Sequence, residues 1–328
     1  MEQRRFSGKG HWYHETQSNH SQTDVLPLVP EAANVDDRLL LVLALPDDIL
    51  ASCAGWLAPA RTLCHLLFPL DTPVSRLHTL SAYDRLSTAL TVAQACGVQR
   101  LCNHYAALLA PLPGPDSSRE SNRRLAEITQ YARQLASSPD VIDDKAQNQL
   151  DEVGLTTYDI VLINQIIGFV GFQARVVAVF QALLGHPVRW LPGHHIQPHT
   201  LPVSFSRWTA TLPAVELKYA SALQLEALSR WQAEPALEAL TPVLCHEPML
   251  LNLTGEILLN HPLSEGPASS MISAARALLV ASPDRFSAAQ LTPLTGSGLS
   301  PEKAINLLTR DAFYGWLDRL RVALGKEE

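Results

Sequence analysis

Apolar residues recur every three to four positions along most of the chain, and this spacing predicts helices that bury one face or are buried on all sides. In the first half, the pattern predicts helices over residues 47–69, 81–96, 98–111, 119–137, 142–152 and 155–184. After an interruption, it predicts further helices over residues 215–232, 247–260, 269–281, 287–295 and 301–324. The alternating pattern of strands is almost absent. The sequence therefore predicts an all-α fold.

Polar residues at several predicted helix starts support this assignment. Ser81 stands three residues before Asp84, which fits a capping box in front of an apolar run. Thr156 stands at the same spacing before Asp159. Ser300 is followed directly by proline, which combines a capping hydroxyl with a residue that the first helical turn tolerates.

The predicted helices form two groups, which a segment rich in proline and histidine separates. Residues 1–35 form a predicted polar N-terminal arm, residues 36–190 a helical domain, and residues 214–328 a second helical domain. Residues 191–213 are the predicted linker between them. The histidines in and next to this linker are His186, His194, His195 and His199. Because prolines interrupt the region, we expect an irregular, solvated segment rather than a metal site.

Part of the second domain repeats part of the first. Shifting the chain by 144 positions without a gap aligns residues 128–175 with residues 272–319 and gives 11 identities. These identities fall on a Ser-Pro-Asp break, a Gly-Leu turn and a Phe-x-Gly-aromatic-x-x-Arg pattern in a long helix. The sequence therefore predicts an internal duplication with a degenerate second copy. Arg175 and Arg319 are equivalent, and we expect each to pair with a carboxylate or a helix C-terminus inside its own copy.

The segment Tyr83–Leu109 holds the densest group of candidate reactive side chains. An acidic residue opens one predicted helix, a glycine turn follows, and the next predicted helix carries a cysteine and a histidine. A thiol must be ionised to act as a nucleophile, and a carboxylate and an imidazole can together carry a proton. The candidate catalytic residues are His104, Asp84, Cys102 and Cys96.

These helices resemble the signature region of the alkylhydroperoxidase D-like superfamily, which includes the carboxymuconolactone decarboxylases. In that superfamily an acidic residue opens one helix, a Cys-x-x-Cys pair starts the next, and a histidine follows four residues after the second cysteine. Leu135–Pro139, Gly154–Thr156 and Phe169–Arg175 are similar to the peroxidase-related branch. The resemblance covers about residues 36–186 clearly and 245–325 weakly. It implies a multi-helix fold, a small-molecule substrate and a homo-oligomer.

The resemblance also implies a thiol site that this sequence keeps only in part. With His104 in register, Gly97 and Arg100 occupy the two cysteine positions. With Cys96 taken as the first cysteine, a glutamine and an asparagine fall in the second cysteine position and the histidine position. On one continuous helix Cys96 and Cys102 lie beyond disulfide reach, so only a helix break at Gly97 brings them together.

The resemblance therefore implies an oxidoreductase related to the alkylhydroperoxidases, with a degenerate Cys-x-x-Cys site and weak or absent peroxidase activity. One alternative is a non-thiol enzyme of the carboxymuconolactone decarboxylase type, in which His104 and Asp84 act together. The other is a non-catalytic, oligomeric binding protein. Each candidate residue also has a structural role open to it: an inert buried thiol, a core histidine that donates to a carbonyl, or a capping carboxylate. No cofactor and no metal are predicted.

Composition narrows the partners and the compartment. A hydrophobic fraction of 47% is enough for a sizeable core. The net charge of −7 offers no positive field to a phosphate backbone or an anionic bilayer, so neither nucleic acid nor membrane is an expected partner. The apolar run over residues 160–184 contains Asn164, Gln173 and Arg175, which argues against a transmembrane helix. The odd set of five cysteines favours reduced thiols and a cytoplasmic location.

Overall fold

The computed structural model describes residues 30–69, 71–188, 196, 208–261, 270–296 and 298–327. Within these ranges the chain forms twelve α-helices and one two-stranded antiparallel sheet, which confirms the all-α class. The first six helices are α1 (Asp47–Leu67), α2 (Ala82–Cys96), α3 (Gln99–Leu109), α4 (Arg119–Ser137), α5 (Asp144–Glu152) and α6 (Thr157–Leu183). The others are α7 (Ala222–Trp231), α8 (Thr241–Leu244), α9 (Pro248–Leu259), α10 (Ser270–Ala281), α11 (Ala288–Gly296) and α12 (Pro301–Leu324). The strands are β1 (Trp208–Ala210) and β2 (Gly325–Glu327).

The helix starts use the capping residues that the sequence indicates. The Ser81 hydroxyl accepts from the Asp84 amide and the Asp84 carboxylate accepts from the Ser81 amide, both at 3.1 Å, which completes a capping box at α2. Thr156 and Asp159 form the same box at α6. Ser300 accepts a backbone hydrogen bond in the first turn of α12. Local chemistry is therefore sufficient to position these three helix starts.

The strand β1 corrects the sequence prediction of an irregular linker. Residues 191–213 were expected to be solvated, but Trp208–Ala210 pairs with Gly325–Glu327. Ile196 is also fully buried, and its N–H donates to the Ala281 carbonyl at 3.0 Å. Three residues are too few to show an alternating pattern, so periodicity does not reveal such a strand. Residues 191–195 and 197–207 of the linker, with His194, His195 and His199, lie outside the described residues. The domain boundaries stay a prediction.

The long helix α6 occupies the centre of the protein and is buried on almost every side. It packs along α12, and α2 and α4 also contact it. α6 is long and apolar enough to cross a membrane, but 89% of its most apolar window is buried inside the protein. Burial on all sides is usual for the central helix of a protein core.

The order of elements recurs at the spacing of the sequence repeat. Helices α4, α5 and α6 are followed 144 residues later by α10, α11 and α12. Ser138 and Ser282 end α4 and α10 with almost the same backbone angles, φ −147° and ψ 68° against φ −152° and ψ 68°. Gly154 and Gly298 both adopt positive φ, at 85° and 98°. The duplication itself stays a prediction.

Each of the two repeat-related arginines donates a hydrogen bond to the half of the chain that contains the other one. Arg175 donates to the carbonyl of Val280 at 2.7 Å, in the last turn of α10. Arg319 donates to the carbonyl of Ala136 at 3.2 Å, in the last turn of α4. Each arginine also donates to a carbonyl one turn back in its own helix. The expected partner type, a helix C-terminus, is therefore present, but the expectation that it lies inside the same copy is wrong.

Aromatic side chains fill the contact between α6 and α12 in a similarly reciprocal way. Phe169 meets Trp316 edge-on at 5.9 Å between ring centroids, and Phe313 meets Phe172 edge-on at 6.1 Å. Gly168 makes room for the indole, because a Cβ atom there would lie 1.8 Å from Cδ1 of Trp316. The absence of one side chain at position 168 therefore sets how closely the two helices approach.

The close approach predicts that Gly168→Ala destabilises the fold. The added methyl group has to displace the indole of Trp316, and overpacking of this kind costs about 1–3 kcal/mol. Gly171→Ala, on the same helix, is the matched control, because its Cβ meets nothing nearer than 3.5 Å. We expect it to change the free energy of unfolding by less than about 1 kcal/mol. Urea unfolding of both variants measures the difference, and equal stabilities would contradict the proposed packing constraint.

Candidate functional site

The candidate residues lie on two helices that break at Gly97. α2 ends at Cys96, Gly97 adopts φ +70°, and α3 begins at Gln99. A Cβ on Gly97 would lie 2.9 Å from Cβ of Asp284, so the turn also needs glycine for space. The break places Cys102 in the first turns of α3, as the sequence predicts.

The Cys96 thiol is buried between the two repeat-related arginines, with 2% of the residue exposed. Burial raises the pKa of this thiol, while the guanidinium groups of Arg175 and Arg319 lower it and Asp284 raises it again. Hydrogen bonding to Arg175 also lowers the pKa, as the smallest of these effects. Burial is the largest of these effects, so the raised pKa keeps Cys96 protonated at neutral pH.

The second candidate thiol, that of Cys102, is partly buried on α3. Burial raises its pKa to about 12, and the nearby Cys96 thiol contributes in the same direction. Both cysteines are free thiols. The thiolate is the nucleophilic form of cysteine, so neither side chain is prepared for nucleophilic attack in this conformation.

His104 lies on α3 and is 2% exposed. Its Nδ1 donates to the carbonyl of Ala32 at 2.7 Å, because a carbonyl oxygen can only accept. Burial lowers the pKa of His104 to about 4; the Ala32 carbonyl opposes the shift, and the Arg38 guanidinium adds to it. The imidazole is therefore neutral at pH 7, with its proton on Nδ1. This arrangement matches the structural role of a core histidine that donates to a carbonyl.

Asp84 is occupied by partners other than His104. Its carboxylate accepts from the Ser81 amide and lies 3.5 Å from Nη2 of Arg124. Arg124 in turn donates to the carbonyls of Thr79 and Val153. The interactions found for Asp84 and His104 in the described part of the chain do not join these two side chains, so the pair that the non-thiol alternative requires is not among them. A capping carboxylate is drawn toward the helix N-terminus rather than across to α3.

Arg100, which falls at a thiol position of the superfamily pattern, has a structural contact. Its Nη1 donates to the carbonyl of Leu41 at 3.0 Å. Leu41 and Val42 both adopt positive φ, at 54° and 66°, which is unfavourable for residues with a side chain. Arg100 therefore helps to hold a strained turn in front of α1.

A cleft of about 120 Å³ lies beside this turn. Its lining residues are Asp36, Asp37, Arg38, Leu39, Arg61 and His65. None of the four candidate catalytic residues lines this cleft. Two of its lining residues, Arg61 and Asp37, form an ion pair at 2.8 Å. A second cleft, next to Tyr131 and Leu150, is not lined by any of these four residues either.

A cluster of titratable side chains that the sequence did not indicate lies at the start of α6. Nε2 of His78 is 3.2 Å from the carboxylate of Glu247. Tyr158 stands between two imidazoles, 5.0 Å from the ring of His78 and 4.9 Å from that of His246. Burial raises the pKa of Glu247, with His78 and then Arg85 opposing that shift. These residues are far apart in the chain, so no local motif reveals them.

No protein-family model matches the chain, and no curated protein matches it either. The resemblance to the alkylhydroperoxidase D-like superfamily therefore rests on the residues between Tyr83 and Leu109 and on the downstream turns. It stays a prediction.

The lowered pKa of His104 predicts a specific loss of stability in acid. An unfolded histidine takes up a proton near pH 6.5, whereas His104 in the fold resists protonation until about pH 4. The unfolded state therefore binds more protons in this window, and stability falls as the pH falls from 6.5 to 4. The shift corresponds to a loss on the order of 3 kcal/mol.

His104→Gln keeps an N–H donor and cannot be protonated, so we expect its stability to fall less over the same window. The exposed His65→Gln is the control and should keep the slope of the original protein. Denaturant unfolding at a series of pH values measures this. The same slope in all three proteins would show that His104 is not held neutral.

Proposed function

We propose that this protein is an oxidoreductase relative built on the alkylhydroperoxidase D-like scaffold, with a degenerate thiol site and weak or absent hydroperoxidase turnover. The observation that carries the proposal is the state of the two thiols. Burial raises the pKa of Cys96, and burial together with the Cys96 thiol raises that of Cys102 to about 12. Both are free, protonated thiols at neutral pH.

Thiol-based peroxide reduction of the superfamily type requires reactive thiols, a histidine and a carboxylate. Each of these three kinds of group is compromised here. A thiolate attacks one peroxide oxygen, the O–O bond breaks, and the leaving alkoxide takes a proton, which gives a sulfenic acid and an alcohol. A second thiol then displaces water to form a disulfide, which an external dithiol reduces. Here the thiols are protonated, and the Nδ1–H of His104 is engaged by Ala32. Asp84 is engaged by Ser81 and Arg124.

A non-catalytic binding protein is the second candidate, and His104 supports it. A buried histidine with its donor satisfied by a backbone carbonyl has a complete structural role. The decarboxylase-type alternative needs His104 and Asp84 to act together, and their separate partners give it less support. The homo-oligomer and the cytoplasmic location belong to the proposal, and the five free thiols agree with a reducing compartment.

We also propose that the two halves arose by duplication of one helical unit. Reciprocal contacts support this, since Arg175 reaches Val280 and Arg319 reaches Ala136, its repeat equivalent. Two copies that each present the same surface to the other form the arrangement of a two-fold dimer. On this proposal, the α6–α12 contact within one chain replaces a contact that single-copy relatives make between subunits.

The proposal predicts that one equivalent of hydroperoxide leaves the thiol count of the folded protein unchanged. Protonated, buried thiols react slowly, so Cys96→Ser and Cys102→Ser should turn over hydroperoxide no differently from the original protein. Cys245→Ser is the matched control, because burial raises the pKa of that thiol to about 11 at a site remote in the chain. Thiol titration and peroxide consumption are the measurements.

Rapid loss of two thiols that either Cys96→Ser or Cys102→Ser abolishes would contradict the degenerate site. It would establish a redox pair across the break at Gly97. Turnover that His104→Ala abolishes while the thiols stay unchanged would instead favour the non-thiol enzyme.

A further inference from the structure

The 3₁₀ helix Pro30–Ala33 lies against α3 at the position of His104. The carbonyl of Ala32 accepts from Nδ1 of His104 at 2.7 Å, across 72 residues of sequence. Ala32 and Ala33 are themselves partly buried, whereas the following residue, Asn34, is exposed. The segment therefore contacts the body of the protein at the histidine, and after one exposed residue the chain packs against the core again at Val35.

This contact controls what His104 can do. The carbonyl fixes the imidazole in the Nδ1–H form and occupies that donor. With the segment in place, the imidazole is 2% exposed and has Tyr105 at 5.3 Å between rings. Any other group that is to receive the Nδ1–H has to displace Ala32 and offer an acceptor oxygen, such as that of a carbonyl or a carboxylate.

The segment is held more weakly than the helices beneath it. A single turn of 3₁₀ helix has poor internal hydrogen bonds and little stability of its own. One hydrogen bond to a side chain contributes about 1 kcal/mol net. Alanine side chains add little apolar area. Segments anchored in this way open locally without unfolding of the protein.

We propose that Pro30–Ala33 is a strap that closes the site at His104 and opens as an independent unit. The strap explains why the His104 side chain, in the candidate site, is shielded from solvent. Its release exposes a neutral imidazole donor close to the guanidinium group of Arg38. The inference rests on the proposed position of the site at His104, but on no thiol or peroxide chemistry.

Replacing residues 30–33 with four glycines tests the strap. The change removes both alanine methyl groups and the preference for a 3₁₀ turn, so the strap should be open for most of the time. We expect the apparent pKa of His104, followed by NMR, to rise from about 4 toward 6.5. Diethyl pyrocarbonate should modify His104 in the variant and spare it in the original protein.

The matched control replaces another 3₁₀ helix, Leu217–Tyr219, with glycines. Its first and last residues, Leu217 and Tyr219, are 68% and 77% exposed. The change should therefore leave the pKa of His104 and its modification as they are. A folded strap variant with its His104 pKa still near 4 would overturn the proposal. So would equal changes in the strap variant and the control.

Hydrogen exchange on the unaltered full chain gives a second test, which does not depend on whether a variant folds. The amides of residues 31–34 should exchange much faster than those of α2 and α3, because opening of the strap does not require opening of the core. Exchange of the strap only together with α3 would overturn the proposal. Neither readout involves peroxide, so an active hydroperoxidase would refute the proposed function and leave the strap untouched.

Discussion

Two buried guanidinium groups and the carbonyls that receive them connect the halves of this protein. A charged side chain inside a protein is costly unless its N–H groups are paired. Arg175 finds its long-range acceptor at the end of α10, and Arg319 finds its acceptor at the end of α4. Each half can therefore bury its own arginine only when the other half is folded beside it. The close approach at Gly168, which admits the indole of Trp316, also joins the two halves.

The contact between the two halves determines the surroundings of the candidate site. Cys96 ends α2 directly beside both arginines, and the turn at Gly97 touches Asp284 in the second half. A thiol in this place is surrounded by protein on every side. The positive charges of the two arginines favour a thiolate, but burial outweighs them. Burial in the core therefore suppresses the reactivity that the superfamily pattern implies.

Local chemistry predicted the helices well and the tertiary contacts poorly. The capping boxes at Ser81 and Thr156 place their helices because the signal lies within one turn. The two-stranded sheet, the exchanged arginine partners and the Ala32–His104 bond were not predictable, because each joins segments more than 70 residues apart. The four candidate residues were found on two consecutive helices as expected. Their actual partners depend on packing, which a single sequence does not encode in any local pattern.

The small sheet has a topological consequence for the second half. Because β1 and β2 are antiparallel neighbours, residues 208 and 327 lie side by side, and the chain between them forms a closed loop. The indole of Trp208 donates to the Arg321 carbonyl at 3.0 Å, and the Thr211 amide donates to the Leu324 carbonyl at 2.9 Å. The sheet and these two hydrogen bonds therefore help to offset the entropy cost of closing that loop. Adjacent ends are also the condition under which a helical unit tolerates circular permutation or transfer into another chain.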